Sequence, residues 1–169
     1  MQINVTLADW KEVLRRESAG TLEQDLTADD SESWTCDPDS WWSDSSIQFY
    51  NLEEAYAAMA PQLPPDNRRN ADDSIGKLFR MDAVYDLDTQ MECWFMAISP
   101  KCLKRILDSL AAVDFSPFRE LYDQHCPESV KSGLTDDDYQ ENFYSYIIQW
   151  RDAMSNSLDR GWGLLGHIG

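Results

Sequence analysis

The chain has four cysteines and two histidines that could act as nucleophiles or metal ligands. Structural zinc sites need four nitrogen or sulfur ligands at short, paired spacings, and the closest cysteine pair, Cys93 and Cys102, has no histidine nearby. His125 and Cys126 are adjacent, but neighbouring side chains generally point in different directions, so they make a poor nucleophile and base. We therefore predict no catalytic residue, no metal site and no cofactor.

Carboxylates are so numerous that the sequence singles out no pair of them for acid–base chemistry. The run from Asp136 to Asp138 lies where we expect a helix to begin, and negative charge there stabilises the helix dipole. Asp86 and Asp88 are spaced like one corner of a calcium loop, but no EF-hand pattern follows them. These groups are predicted to have structural roles.

The segment SESWTCDPDSWWSDSS, residues 31 to 46, alternates tryptophans with carboxylates. Tryptophan supplies contact area and can bind Arg or Lys through its ring face, while carboxylates attract a basic partner. The predicted partner-binding residues are Glu32, Trp34, Asp37, Asp39, Trp41, Trp42 and Asp44. The alternative is that these tryptophans anchor a long loop in the core.

Net charge narrows the class of partner. The chain carries 31 acidic and 14 basic residues, a net charge of −17, which disfavours binding to nucleic acid or to an anionic membrane and favours a basic protein. Solubility alone could also explain such a total. However, residues 21 to 46 hold eight carboxylates and no Lys or Arg, whereas 1 to 20 and 99 to 134 are balanced in sign. This distribution favours a dedicated acidic surface.

Length and composition predict one globular domain over residues 1 to 169, with one hydrophobic core. The amino-terminal residues show no signal-peptide pattern, and no run of about 20 apolar residues occurs. We therefore expect a cytoplasmic protein whose cysteines are free thiols, buried or half-buried.

The spacing of apolar residues predicts a mostly helical α+β fold with a small, mainly antiparallel sheet. A capping box at Thr6 and Asp9 predicts a first helix over about 7 to 18, ended by Gly20. Residues 21 to 46 show no periodicity, so we expect an acidic, Trp-rich loop or insertion there.

The middle of the chain is predicted to contain a helix and a hairpin. Residues 47 to 50 are expected to be extended, and Asn51 to cap a helix that ends at Pro61. The composition of 61 to 74 is typical of a loop, and alternating apolar positions predict a β-hairpin over 77 to 99. Four residues of the helix are expected to face inward: Leu52, Ala55, Tyr56 and Met59.

The last 70 residues are predicted to be helical before a final strand. Ser99-Pro100 and Ser116-Pro117 are both typical of a helix start, with an N-cap followed by proline. Apolar residues at spacings of three and four then predict a long helix over about 136 to 157. Residues 164 to 168 are expected to return to the sheet as a strand.

This carboxy-terminal layout resembles a known family. The order SPKCLKRILDSLAAVDFSPFRELYD, an acidic gap, and YQENFYSYIIQWRDAMSNSLDRGWGLLGHIG is similar to that of the YfbM-like family of small bacterial proteins. The resemblance covers residues 99 to 169, and residues 1 to 98 depart from the family pattern. It implies a compact intracellular α+β domain, and it transfers no functional residue.

The leading hypothesis is a non-catalytic acidic domain that binds a basic protein, such as an immunity-type inhibitor of a bacterial toxin. It would bind the partner through residues 21 to 46, with Asp136 to Asp138 as a second group of carboxylates. The alternatives are an enzyme with a scattered cysteine and carboxylate site, and a regulatory domain that binds a small ligand.

Overall fold

The computed structural model is mostly helical with a small antiparallel sheet, which confirms the predicted α+β class. It describes residues 3–26, 31–37, 46–79, 86–88, 94–131 and 139–168. The helices of this part are α1 (Trp10–Ala19), α2 (Leu22–Leu26), α3 (Ser46–Met59), α4 (Pro65–Asp72), α5 (Ile75–Phe79), α6 (Pro100–Ala111), α7 (Phe118–His125) and α8 (Ser145–Asp159). The strands are β1 (Ile3–Ala8), β2 (Thr35–Cys36), β3 (Trp94–Ile98) and β4 (Gly163–Ile168).

The strands lie in the order β2-β1-β4-β3, and each neighbouring pair is antiparallel. β1 pairs with β4 along its full length, from Ile3 opposite Ile168 to Ala8 opposite Gly163. β2 adds a short ladder at the outer side of β1, where Cys36 lies opposite Leu7. The predicted final strand is therefore confirmed, and it occupies the centre of the sheet.

The sheet separates two hydrophobic clusters, whereas the sequence predicted one core. Neighbouring strand residues point to opposite faces, so Leu164 joins the larger cluster and Leu165 the smaller one. The larger cluster contains buried residues of α3 to α8. The smaller cluster contains Trp10 and Val13 of α1 together with Trp34. Both faces of the sheet are thus covered.

The prediction for the amino terminus was wrong at its start. Residues Ile3–Ala8 form β1, and α1 begins only at Trp10, with the Asp9 side chain accepting a hydrogen bond from Lys11 N at 3.0 Å. Leu7 fits either a helical stripe or a strand, and its pairing with β4 decides the outcome. The predicted end at Gly20 is confirmed, since its φ of 70° is the left-handed conformation that glycine favours.

Two predictions near α3 were also wrong. Residues 47 to 50 are helical rather than extended, and Asn51 lies inside α3 rather than at its cap. A helix already nucleated extends at small cost, because each added residue gains one hydrogen bond. The inward face is confirmed, since all four of its predicted members are buried: Leu52, Ala55, Tyr56 and Met59.

The segment 61 to 74 was predicted to be a loop, but it contains α4. Pro65 occupies the first turn, where a missing N–H costs nothing, and Ala71 is fully buried in the larger cluster. The predicted hairpin begins too early, because α5 continues to Phe79. β3 corresponds to its second arm, whereas residues 80 to 85 and 89 to 93 lie outside the described part.

The carboxy-terminal helices follow the prediction more closely. Ser99 caps α6 by accepting a hydrogen bond from Cys102 N at 3.2 Å, and α7 follows Pro117. The long helix is α8, preceded by one π-helical turn over Gln140–Tyr144. Its predicted cap and the cluster 136 to 138 lie outside the described residues.

Candidate protein-binding surface beside strand β2

The structure describes three of the seven predicted partner-binding residues: Glu32, Trp34 and Asp37. The other four lie outside the described residues: Asp39, Trp41, Trp42 and Asp44. The three that are described belong to one short stretch, which runs from a 3-10 turn into β2. The segment predicted to be an acidic loop therefore contributes an edge strand to the sheet.

Backbone hydrogen bonds fix this stretch against β1. Trp34 N donates to Ser31 O at 3.0 Å, which closes the 3-10 turn, and Thr35 Oγ1 donates to the same carbonyl at 2.8 Å. On the β1 side, Asp9 N donates to Trp34 O at 2.8 Å. These contacts set the direction in which each side chain of the stretch points.

Trp34 points into the protein. Its side chain is 2% exposed and packs in the smaller cluster, where the guanidinium carbon of Arg16 lies 4.3 Å from the ring centroid. The ring face that could receive a partner's cation is therefore occupied by a cation of the same chain. A side chain so buried offers no contact area, so we remove Trp34 from the candidate surface.

Arg16 is itself buried and is held by two carboxylates. Its Nη1 donates a short hydrogen bond to Glu12 Oε2, and its Nε lies 3.2 Å from Asp25 Oδ2. Arg15 binds the same Glu12 oxygen from the solvent side. The hydrogen bonds from Arg16 and then Arg15 lower the pKa of Glu12 below its ordinary value. Arg16 thus links α1, α2 and Trp34.

A second arginine holds the stretch at its other end. Arg160 Nη1 lies 2.9 Å from Cys36 Sγ, and its guanidinium carbon is 5.6 Å from the ring centroid of Trp162. Cys36 and Trp162 pack against the larger cluster, on the opposite face of the sheet from Trp34. Arg16 and Arg160 therefore hold residues 34 to 36 in place from the two faces of the sheet.

Apart from Asp25, the carboxylates described in residues 21 to 37 point outward. Glu23, Glu32 and Asp37 are exposed, and none of them forms an ion pair within the described ranges. Glu32 and Asp37 lie on either side of β2, and we call these two side chains the β2 acidic surface. Several other carboxylates instead form an ion pair with a cation one to four residues away. These pairs are Asp66 with Arg69, Asp72 with Arg68, Asp73 with Lys77, Asp108 with Lys104 and Asp152 with Arg151.

The groups considered for catalysis do not form a reactive site in the described part of the chain. Cys126 is buried, whereas the adjacent His125 is exposed at the end of α7. Burial raises the pKa of the Cys102 thiol, which disfavours the nucleophilic thiolate. Across the described ranges, no three His, Cys, Asp or Glu side chains are grouped so that they could hold a metal ion.

Sequence reasoning missed both arginines that organise this region. Arg16 could have been found, because Glu12 and Arg16 are four residues apart on one helix and such pairs face each other. Arg160 had no such signal, since 124 residues separate it from Cys36. Arg160 and Cys36 come together because β1 pairs with β2 on one side and with β4 on the other.

Comparisons with known proteins leave the sequence-based resemblance untested. No protein-family model matches the chain, and neither the curated proteins nor the solved structures yield a similar one. The likeness of residues 99 to 169 to the YfbM-like family stays a prediction. None of the described helices has the length and apolar character needed to span a membrane.

Proposed function

We propose that this protein is an acidic, non-catalytic binding domain that recognises a basic protein through the β2 acidic surface. An inhibitor or immunity-type protein that neutralises a basic bacterial toxin is the best fit. The observation that carries the proposal is that Glu32 and Asp37 are exposed in a segment, residues 21 to 46, that holds eight carboxylates and no Lys or Arg. Arg16 and Arg160 reach this segment but contact Trp34 and Cys36 rather than these two carboxylates.

Different side chains hold this stretch in place and carry its exposed charge. Arg16 and Trp34 are buried together, so the stretch keeps its position without using the outward carboxylates. Because the backbone on either side of β2 is already ordered, Glu32 and Asp37 can pair with Lys or Arg of a partner without the cost of ordering the chain, which reduces the entropic cost of binding. The net charge of −17 adds long-range attraction for a basic protein and raises its association rate.

The proposal assumes a cytoplasmic protein, as the sequence predicts. Cys36, Cys102 and Cys126 carry reduced thiols in the structure, which is compatible with a reducing compartment. The two alternatives, an enzyme with a scattered site and a regulatory domain for a small ligand, stay predictions from the sequence.

Affinity capture from the source cells tests the proposal with three baits. The first is the wild-type chain, the second carries Glu32→Lys and Asp37→Lys, and the third carries Glu54→Lys and Glu128→Lys. Both variants change the net charge from −17 to −13, and Glu54 and Glu128 are exposed carboxylates outside the β2 acidic surface. The third bait therefore controls for total charge.

We expect a basic protein that is retained by the wild-type and control baits, is lost from the second bait, and elutes as salt rises. A partner retained equally by all three baits would place the interface elsewhere. Retention that does not weaken with salt, or no retained partner at all, would overturn the proposal.

A further inference from the structure

A second surface lies between α6 and α8, on the larger-cluster side of the sheet. The two helices pack side by side and leave a groove of about 580 Å³. Its walls are mainly apolar and include Leu107 of α6 and Ile147 and Ile148 of α8. At one end, the rings of Phe115 and Tyr144 meet edge to face, with centroids 5.4 Å apart. Packed helices and a packed pair of aromatic rings thus form the walls of this groove.

One charged residue lines the groove from each helix, and the two have opposite signs. Asp108 lines it from α6 and Arg151 from α8, with side chains that are 65% and 49% exposed. Each forms an ion pair on its own helix, Asp108 with Lys104 at 2.8 Å and Arg151 with Asp152 at 2.7 Å. Exposed pairs of this kind contribute little to stability, so both groups can exchange partners at small cost.

This face differs in charge from the rest of the molecule. α6 carries three cations and one carboxylate, and α8 carries one cation and two carboxylates. Together the two helices have a net charge of +1, against −17 for the whole chain. Two copies of the protein repel each other overall, but repulsion between exposed charges is screened beyond about 8–10 Å at physiological salt. The α6–α8 face is thus a place where two copies can approach closely at low electrostatic cost.

We propose that the α6–α8 groove is the interface of a homodimer with two-fold symmetry. In a two-fold interface the same patch meets itself, and when the two-fold axis runs along the groove, α6 of one copy lies over α8 of the other. Asp108 of each copy then faces Arg151 of the other, and the pair forms twice. The two helix pairs pack as a four-helix arrangement, in which half-buried Leu107 and Ile148 enter the opposing groove.

Sedimentation analysis of the full chain over a wide range of concentration tests this interface. We expect a monomer–dimer equilibrium in the wild type. Asp108→Arg and Arg151→Asp each place like charges opposite one another twice, so each should weaken dimerisation about tenfold or more. The double variant Asp108→Arg/Arg151→Asp restores opposite charges and should recover most of the lost affinity.

Matched controls separate the interface from general charge effects. Asp159→Arg makes the same charge change as Asp108→Arg, and Lys101→Asp the same as Arg151→Asp, at exposed positions outside the groove lining, so both controls should leave the dimer nearly unchanged. Ala111→Arg adds a long side chain at an exposed lining position without disturbing the core, and should block dimerisation while circular dichroism stays the same.

Several results would overturn the dimer. These are a monomer at every concentration, single variants that dimerise as the wild type does, and a double variant no better than the singles. Growth into larger species would indicate a head-to-tail contact instead. The β2 acidic surface is separate, so Glu32→Lys/Asp37→Lys should leave dimerisation unchanged whichever way the capture experiment turns out.

Discussion

The guanidinium carbon of Arg16 lies 4.3 Å from the centroid of the Trp34 ring, and both side chains are more than nine-tenths buried. This contact joins α1 to the residue that precedes β2. It also explains why Trp34 does not serve as an exposed recognition residue, since its ring face is already covered. The outward carboxylates of Glu32 and Asp37 depend on it indirectly, because it holds the stretch between them in place.

Replacing Arg16 by Ala should therefore destabilise the fold. The change uncovers Trp34 and leaves Glu12 and Asp25 close together without their shared cation. We expect the free energy of unfolding to fall by about 2–3 kcal/mol, less than for a fully buried ion pair because both carboxylates are partly exposed. Urea denaturation followed by tryptophan fluorescence measures this loss.

Arg15→Ala is the matched control for that measurement. Arg15 binds the same Glu12 oxygen, but its side chain is 59% exposed. An exposed pair contributes little, so we expect a loss of no more than about 0.5 kcal/mol. Equal losses for the Arg15 and Arg16 variants would show that the buried stacking contact adds nothing.

The ion pairs of Glu12 with Arg15 and Arg16 should make the free energy of unfolding depend on pH in the acid range. Hydrogen bonds from Arg16 and then Arg15 hold the pKa of Glu12 below its ordinary value of 4.5. Because the folded-state pKa is the lower one, the stabilisation is fully present above about pH 4.5 and is lost as pH falls through the folded-state pKa. Glu12→Gln should remove this part of the pH dependence.

Urea midpoints measured from about pH 7 to about pH 3 test the effect. The stability of Glu12→Gln should decline less steeply below about pH 4.5 than that of the wild type. Glu54→Gln removes an exposed carboxylate that has no ion pair to a described residue, and it should follow the wild-type curve. Parallel curves for the wild type and Glu12→Gln would disprove the contribution of this carboxylate.

Gly163 should not tolerate a side chain. A Cβ there would lie 2.6 Å from the Ile98 carbonyl oxygen and would overlap the ring of Trp10, which packs against the first residue of β4. Gly163→Ala should lower the free energy of unfolding by about 3 kcal/mol through overpacking. Gly20→Ala meets no atom within 4 Å and carries only the strain of its φ of 70°, so it should cost about 1 kcal/mol.

Thermal unfolding of the two glycine variants gives this comparison directly. A Gly163→Ala protein as stable as Gly20→Ala would mean that the packing of α1 on the sheet can relax. Close packing would then not be the reason that glycine occupies the first position of β4.

Local signals predicted the elements that depend on local chemistry. Ser99 and Pro100 located the start of α6, because the cap and the proline act within one turn. β1 was missed because Leu7 suits a helix as well as a strand, and its partner Leu164 lies at the far end of the chain. Pairing over such a separation leaves no local pattern to read.

The candidate surface was predictable only in part, because it too depends on contacts between residues far apart in the sequence. Composition located the acidic segment, since charge is a property of the residues themselves. The inward direction of Trp34 depends on Arg16, and the position of Cys36 depends on Arg160, both through tertiary contacts. Alternation of aromatic and acidic residues cannot show which of them face solvent.

The most direct test of the central claim is the association rate of the captured basic partner at low and high salt. We predict that Glu32→Lys/Asp37→Lys lowers this rate about tenfold at low salt, whereas Glu54→Lys/Glu128→Lys, with the same net charge, lowers it about threefold at most. High salt should bring the three rates together. Equal losses for the two double variants would contradict the claim, because total charge rather than the β2 acidic surface would then govern binding.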